Sequence, residues 1–250
     1  MSALRTVLAP NASPMTLDGT RTFLVGRESV AVIDPGPELP SHLEALGRAL
    51  DDAREVAIVL THHHPDHAAA GPALARRLSG RTIVSYGPAA PSDGDVVATD
   101  SGDLIALATP GHTPDHCALH WPAESAIFCG DLMMGGLDTA LVAAPEGNLS
   151  DYLESLERLA KIAPKVVYPT HGPQFSDPAD SFRRYRAHRK ERLRAVLDAL
   201  QAGRRSVAEI TTAVYGEAVD MELRPWLEAT TLAYLDYLAG SGLAGGWHDE

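Results

Sequence analysis

Thr61-His62-His63-His64-Pro65-Asp66-His67 follows directly on Val56-Ala57-Ile58-Val59-Leu60, a continuous apolar, β-branched run of the kind a strand buried on both faces carries. Extended backbone alternates its side chains, so His62 and His64 point to one side and His63 to the other. Two imidazoles can then reach one metal ion, while His63 reads as a supporting or filling residue. Pro65 disfavours helical geometry at His64 and bends the chain, which lets Asp66 and His67 project toward a second, adjacent ion. Imidazole and carboxylate suit zinc, and the same donors accept iron or manganese. The competing reading is a surface cluster of histidines that happens to follow a strand.

On the N-terminal side, residues 22–26 and 30–34 read as short strands, the second ending in the turn Asp34-Pro35-Gly36-Pro37. A helix is expected over 43–53 on the face of Leu43, Leu46 and Leu50. Beyond the histidines, 68–78 reads as a helix, 82–85 as a strand, and 104–109 as a strand that stops at Pro110-Gly111. Residues 118–121 and 126–129 look like a strand pair running into Gly130-Asp131. Residues 151–162 form an amphipathic helix, and 166–168 a strand running into Pro169-Thr170-His171-Gly172. Strands and helices alternate, which predicts an α/β chain. Four strands end in potentially ligating residues, and in such folds that edge is where ligands sit. His112, Asp131 and His171 are each flanked by glycine or proline, which permits a tight turn toward a ligand.

From residue 181 the character changes: a long arginine-rich helix to about 201, then helices over 206–215 and 225–239, predict a small helical or winged-helix-like domain over 181–250, packed on a main domain over 1–180. Between Phe182 and Arg205 nine Lys or Arg stand against only Glu191 and Asp198. That run either touches RNA phosphates or an acidic cofactor such as coenzyme A, or is a solvated face that also docks the appendage. The net charge of −12 repels a polyanion and argues against a general nucleic-acid binder. With no basic recognition helix over 225–239, a lid or packing role is expected for the appendage. Cys117 and Cys129 lie in apolar stretches and read as buried free thiols, so no disulfide framework is needed. No export signal and no long apolar run are visible, which predicts a cytoplasmic protein with no membrane partner.

The order H-x-H-x-D-H over 62–67, then His112, Asp131 and His171, resembles the metallo-beta-lactamase superfamily over residues 4–180. The resemblance implies an αββα sandwich. It implies that His62, His64 and His112 hold a first metal, that Asp66, His67 and His171 hold a second, and that Asp131 bridges both. It further implies a hydrolase with two divalent ions, zinc first, whose bridging hydroxide attacks an ester, thioester or related carbonyl, with Asp66 and Asp131 as catalytic residues. Asp66 would orient the water and relay its proton. Asp131 and the missing export signal separate the chain from true metallo-beta-lactamases, and histidine at 64 separates it from the flavodiiron relatives.

A closer resemblance is to the beta-lactamase-like protein 2 branch, related to glyoxalase II-type thioesterases. It rests on Leu17-Asp18-Gly19-Thr20-x-Thr22-Phe23-Leu24-Val25-Gly26, Thr109-Pro110-Gly111-His112-Thr113-x-Asp115-His116, Tyr168-Pro169-x-His171-Gly172-Pro173 and Tyr185-x-x-His188-Arg189-x-x-Arg192. That branch also carries a C-terminal winged-helix-like domain. Where this chain has Arg21 the branch has asparagine, a departure that bears on substrate specificity. A small-molecule substrate is expected. Single-strand endoribonuclease activity, implied by animal members of the branch, is the alternative, and a metal-stabilised nucleic-acid-binding or regulatory protein is the alternative from another class. His116 either lies at the cleft, binding substrate or shuttling a proton, or makes structural hydrogen bonds. Asp34 either orients a metal-binding histidine through its free ring nitrogen or serves as a turn residue.

Overall fold

The computed structural model describes residues 3–78, 82–85, 90–217 and 221–243. In the first half of the chain β1 (Leu4–Leu8), β2 (Arg21–Val25), β3 (Ser29–Ile33), β4 (Glu55–Val59) and β5 (Thr82–Ser85) lie side by side in chain order, joined by the helices α1 (Pro40–Ala49), α2 (Pro65–Ala68) and α3 (Gly71–Arg77). Hairpins pair β1, β2 and β3 antiparallel, whereas β4 runs parallel to both β3 and β5. The second half contributes β6 (Val96–Val97), β7 (Leu104–Ala108), β8 (Cys117–Trp121), β9 (Ala126–Gly130) and, after α4 (Leu149–Ile162), β10 (Val166–Pro169). These strands are ordered β10-β9-β8-β7-β6, and only β10 and β9 are parallel. The chain ends in α5 (Pro178–Gln201), α6 (Val207–Tyr215) and α7 (Arg224–Gly240).

Side-chain alternation explains why the two sheets face each other. In β2, Phe23 and Val25 point between the sheets while Leu24 points to the helices, and β3 repeats this with Ala31 and Ile33 against Val30 and Val32. Phe23, Ile33 and Val59 from the first sheet meet Leu104, Leu119, Trp121 and Phe128 from the second. The outer face of the first sheet is closed by Leu46, Leu50, Leu74 and Leu78 from α1, α3 and their ends. On the second sheet, Ala118, Ile127 and Val167 pack against Tyr152, Leu156 and Leu159 of α4 and against Phe182, Tyr185, Ile210, Tyr234 and Leu238 of α5, α6 and α7. The result is the expected αββα sandwich, with the C-terminal helices sharing the core of the second sheet.

Three expected elements differ in detail. The helix expected over 43–53 begins at Pro40, whose preset φ suits the first helical position, and ends before Leu50, which stays buried as the C-cap. The helix expected over 68–78 is two pieces, because Pro72 has no N–H to donate to Ala68 and α3 restarts at Gly71. Residues 178–243 hold helices and no strand among the described residues, so the hairpin of a winged helix is not seen there. No helix among the described residues is long and apolar enough to cross a membrane.

Candidate metal centre

The strand ends named above converge on one rim of the sandwich. Asp34, closing β3, has a φ of 51° and is fully buried, and its carboxylate gathers four donors. Thr61 N–H donates to it at 2.7 Å, Thr61 Oγ1 at 2.8 Å, His67 Nδ1 at 2.9 Å and Thr170 Oγ1 at 3.0 Å. One side chain thus ties the ends of β3, β4 and β10 together and fixes the His67 ring. Of the two readings of Asp34, the geometry supports the orienting one. Asp34→Asn replaces an acceptor oxygen by a donor among these donors. It is expected to weaken metal retention about 10–100-fold, read by competition against a chelator. Unchanged retention would show that the bond to His67 is idle.

Every other candidate histidine is held in the same way, its tautomer following from the hydrogen-bond network. His62 Nδ1 lies 3.1 Å from Thr61 Oγ1, whose own proton goes to Asp34, so the ring nitrogen is the donor. His112 Nδ1 donates to the Leu141 carbonyl at 2.8 Å and His171 Nδ1 to the Gly19 carbonyl at 3.1 Å. His64 Nε2 donates to Glu146 at 3.2 Å. Five imidazoles therefore present one bare nitrogen each. His64 Nδ1 and His112 Nε2 face each other at 3.2 Å. The bare nitrogens of His62, His67 and His171 are buried with no hydrogen-bond partner, as is Asp131 Oδ1.

Asp131 sits between two groups of these atoms. Its Oδ1 is 3.4 Å from both His67 Nε2 and His171 Nε2, and its Oδ2 is 3.7 Å from His112 Nε2. Asp66 Oδ2 approaches His171 Nε2 at 3.2 Å. The donor atoms of His62, His64 and His112, of His62, His67 and Asp131, and of Asp66, His67 and His171 each lie within 4.8 Å of one another. Burial opposes charge on both His67 and Asp131. The carboxylates of Asp131 and Asp34 nonetheless hold His67 well above its ordinary pKa, and His67 and His171 hold Asp131 well below the carboxylate range, so the site favours a cation at His67 Nε2, whether proton or metal ion. All seven residues expected as ligands are thus brought together, and buried donor atoms left unsatisfied around a central carboxylate fit divalent-metal binding.

His116 does not fit the expected role at the cleft. It is buried, with Nδ1 against the hydroxyl and carbonyl oxygens of Thr109 at 2.9 and 3.0 Å, while Nε2 accepts the Asp131 N–H at 3.2 Å. Burial, and then His112, push its pKa down to about 3. Neutral, with both ring nitrogens engaged and absent from the cavity walls, it braces the turn that carries Asp131, as the structural reading expects. His63 is exposed, with Nδ1 2.9 Å from Asp115 and Nε2 3.4 Å from Glu146, the carboxylate that also holds His64. Arg21 pairs with Asp18 and is absent from the walls of the cavity above the centre, so the Arg21 departure lies away from this site.

Glu146, Leu141 and Gly19 were not read from the sequence: two act through backbone carbonyls, and Glu146 lies in a loop 82 residues from His64. Thr61 was within reach, standing in the motif itself. His171 depends on a close backbone contact, in which Gly135 N–H donates to the His171 carbonyl at 2.8 Å and a Cβ on Gly135 would stand 1.9 Å from the Pro173 carbonyl oxygen.

The sequence profile of the metallo-beta-lactamase superfamily matches residues 15–90 and 81–171. The beta-lactamase-like protein 2 homolog of Caenorhabditis elegans is 30% identical over 251 residues, spanning 94% of this chain and 81% of that protein. An atrochrysone carboxyl ACP thioesterase of Aspergillus chevalieri is 31% identical over 252 residues, spanning 94% of this chain and 80% of the relative. The crystal structure of a metallo-beta-lactamase family protein from Thermus thermophilus shares the fold with a TM-score of 0.77 at 23% identity, over 96% of this chain and 94% of that one. The profile spans every one of the converging histidines and aspartates, and the relatives align along nearly the whole chain: it belongs to the metallo-beta-lactamase superfamily of metal-dependent hydrolases.

Proposed function

We propose that His62, His64 and His112 hold one divalent ion, that Asp66, His67 and His171 hold a second, and that Asp131 spans the two in an enzyme that cleaves an ester or thioester carbonyl. The reading is carried by the bare, buried ring nitrogens that converge on Asp131 Oδ1. Each such atom left unsatisfied costs about 1–3 kcal/mol, a cost that bound zinc, or iron or manganese in its place, removes. When bound, the ions supply a water nucleophile activated at neutral pH and a Lewis acid for the substrate oxygen.

The rest of the chemistry falls to side chains. Asp66 lines the cavity, its side chain 30% exposed, where it can take the proton of the attacking water and return it to the leaving oxygen or sulfur. Water oxygen bonds to the carbonyl carbon, the bond from that carbon to the leaving atom breaks, and the proton ends on the leaving atom. Asp34, Glu146, Thr61 and the carbonyls of Leu141 and Gly19 keep the five rings oriented throughout. Residues from 181 onward form a wall of the cavity, which is the role proposed for that region. The thioester branch of the reading draws support from the relative named as an acyl-carrier thioesterase.

Phosphodiester cleavage is less well supported, because three arginines in the first half of α5 are already paired. Arg183 bonds to Asp180, Arg184 to Asp180 at 2.9 Å and Asp138 at 3.1 Å, and Arg186 to Glu157. The test is to purify the protein with its own metal, count the ions by elemental analysis, and assay thioesters, lactones, β-lactams and single-stranded RNA against a His64→Ala blank. Thioester or ester turnover absent from the blank is expected. Metal without turnover on any substrate would support a binding protein instead. Neutralising Arg183, Arg184 and Arg186 together is expected to leave ester turnover within about twofold, as surface pairs contribute little. Selective loss of RNA cleavage in that variant would turn the reading to a nuclease.

A further inference from the structure

The cavity that opens at His64, His112 and Asp131 continues to the C-terminal helices, with a volume of about 740 Å³. That is room for a ligand of several rings or a medium-length chain. Its lining is largely apolar, with Met134, Leu137 and Leu141 from the segment after β9 and Leu223, Trp226 and Leu227 around the start of α7. Arg189 and Arg192 of α5 also line it, Arg189 bound to the Ala140 carbonyl beside Leu141 and Arg192 stacked on Tyr215.

These two arginines differ from the paired ones on the same helix. Arg189 is 1% exposed, donates to Tyr234 Oη at 3.0 Å and to the Ala140 carbonyl, and lies 4.7 Å over the Tyr152 ring. Arg192, half-buried, donates to the Val214 carbonyl at 3.1 Å and lies 4.9 Å over the Tyr215 ring. Neither has a carboxylate partner among the described residues, and the Nε–H of each is buried with no acceptor. A guanidinium does not shed its proton to escape burial, so its charge calls for an anion. The neighbouring His188 supplies none. Arg189, bound to α7 and to the carbonyl of residue 140, anchors the wall. Arg192 keeps the freer edge.

Resting on the hydrolase reading above, we propose that the Arg192 side of the cavity binds a carboxylate on the substrate's acyl group, so that the enzyme selects apolar acyl thioesters or esters bearing a terminal acid. A carboxylate there accepts from Arg192 through a charge-assisted bond. The apolar lining of the cavity suits hydrocarbon or aromatic carbon. It does not suit the amide-rich arm of a carrier thiol, which places the anion on the acyl side.

The test compares adipate, suberate and sebacate with monoacids of the same chain lengths, as free ligands by calorimetry and as monothioesters of N-acetylcysteamine in turnover. The diacid of fitting length is expected to exceed its monoacid by about tenfold or more in affinity and in kcat/KM. Arg192→Leu is expected to erase that ratio and Arg192→Lys to keep part of it, with melting curves checking that each variant folds. No preference in the wild-type protein, or a preference that survives Arg192→Leu, overturns the proposal. A ratio between coenzyme A and N-acetylcysteamine thioesters that collapses in Arg192→Leu, while the acyl ratio stays flat, assigns the anion to a phosphate of the leaving group and equally overturns it. Diacid binding without any turnover removes the hydrolase reading and leaves the carboxylate site standing.

Discussion

Asp131→Ala is expected to lower turnover by at least about 10³-fold, because metal-ion stabilisation of the transition state is worth several kcal/mol and each 1.36 kcal/mol is tenfold in rate. The reason is placement. Asp131 faces His112 on one side and both His67 and His171 on the other, at 3.4–3.7 Å, so in the proposed two-ion centre its removal takes a donor and a negative charge from both ion sites at once. Metal content should fall to one ion or fewer, read by elemental analysis. Asp131→Asn separates charge from shape: the amide fills the same space, and the backbone N–H that donates to His116 is untouched. Loss in both variants, with melting temperatures near the parent's, is the expected pattern. Full metal content and full turnover in Asp131→Asn would remove Asp131 from the centre.

The second large effect lies outside the ligands. Gly135→Ala would set a Cβ 1.9 Å from the Pro173 carbonyl oxygen, 2.4 Å from its nitrogen and 2.6 Å from the Gly172 carbonyl carbon. All three are backbone atoms and no side chain can swing aside, so the segment after His171 must move. Overpacking of this kind costs roughly 1–3 kcal/mol, or a fall of about 2–10 °C in Tm for a chain of this size. The same shift carries His171 with it, and a misplacement of about 1 Å at a catalytic centre can cost about 100-fold in rate. Gly240→Ala is the control, since a Cβ there meets nothing within 4 Å. A Gly135→Ala protein with the parent's melting curve and activity would show that the 135–173 contact gives way without consequence.

The legibility of the site followed from how local its signals were. Local alternation in the segment after β4 suggested that His62 and His64 share a side, and the glycine- or proline-marked strand ends suggested that His112, Asp131 and His171 share one rim. The sandwich itself came from the resemblance, because β2 and β3 are apolar on both faces and their residues mark strands without saying which face meets the other sheet. The failures were non-local. The break before Pro72 is the exception, since Gly71-Pro72 is a local breaker signal that the single expected helix passed over. His116 looked like a cleft residue by its distance from His112. Its fate was decided by Thr109 on one side and the Asp131 N–H on the other. The partner of His64 and the cavity wall come from segments far away in sequence, and no periodicity links them.

The apolar cluster that joins Ile127 and Val167 to Tyr185, Ile210 and Tyr234 bears on how the chain is made. During synthesis β8, β9, β10 and α4 leave the ribosome before α5, α6 and α7, so the outer face of the second sheet waits, partly uncovered, for its last helices. A nascent chain with exposed apolar surface is prone to aggregate or to be held by chaperones until that cover arrives. Release from such holding is therefore expected to coincide with emergence of α7.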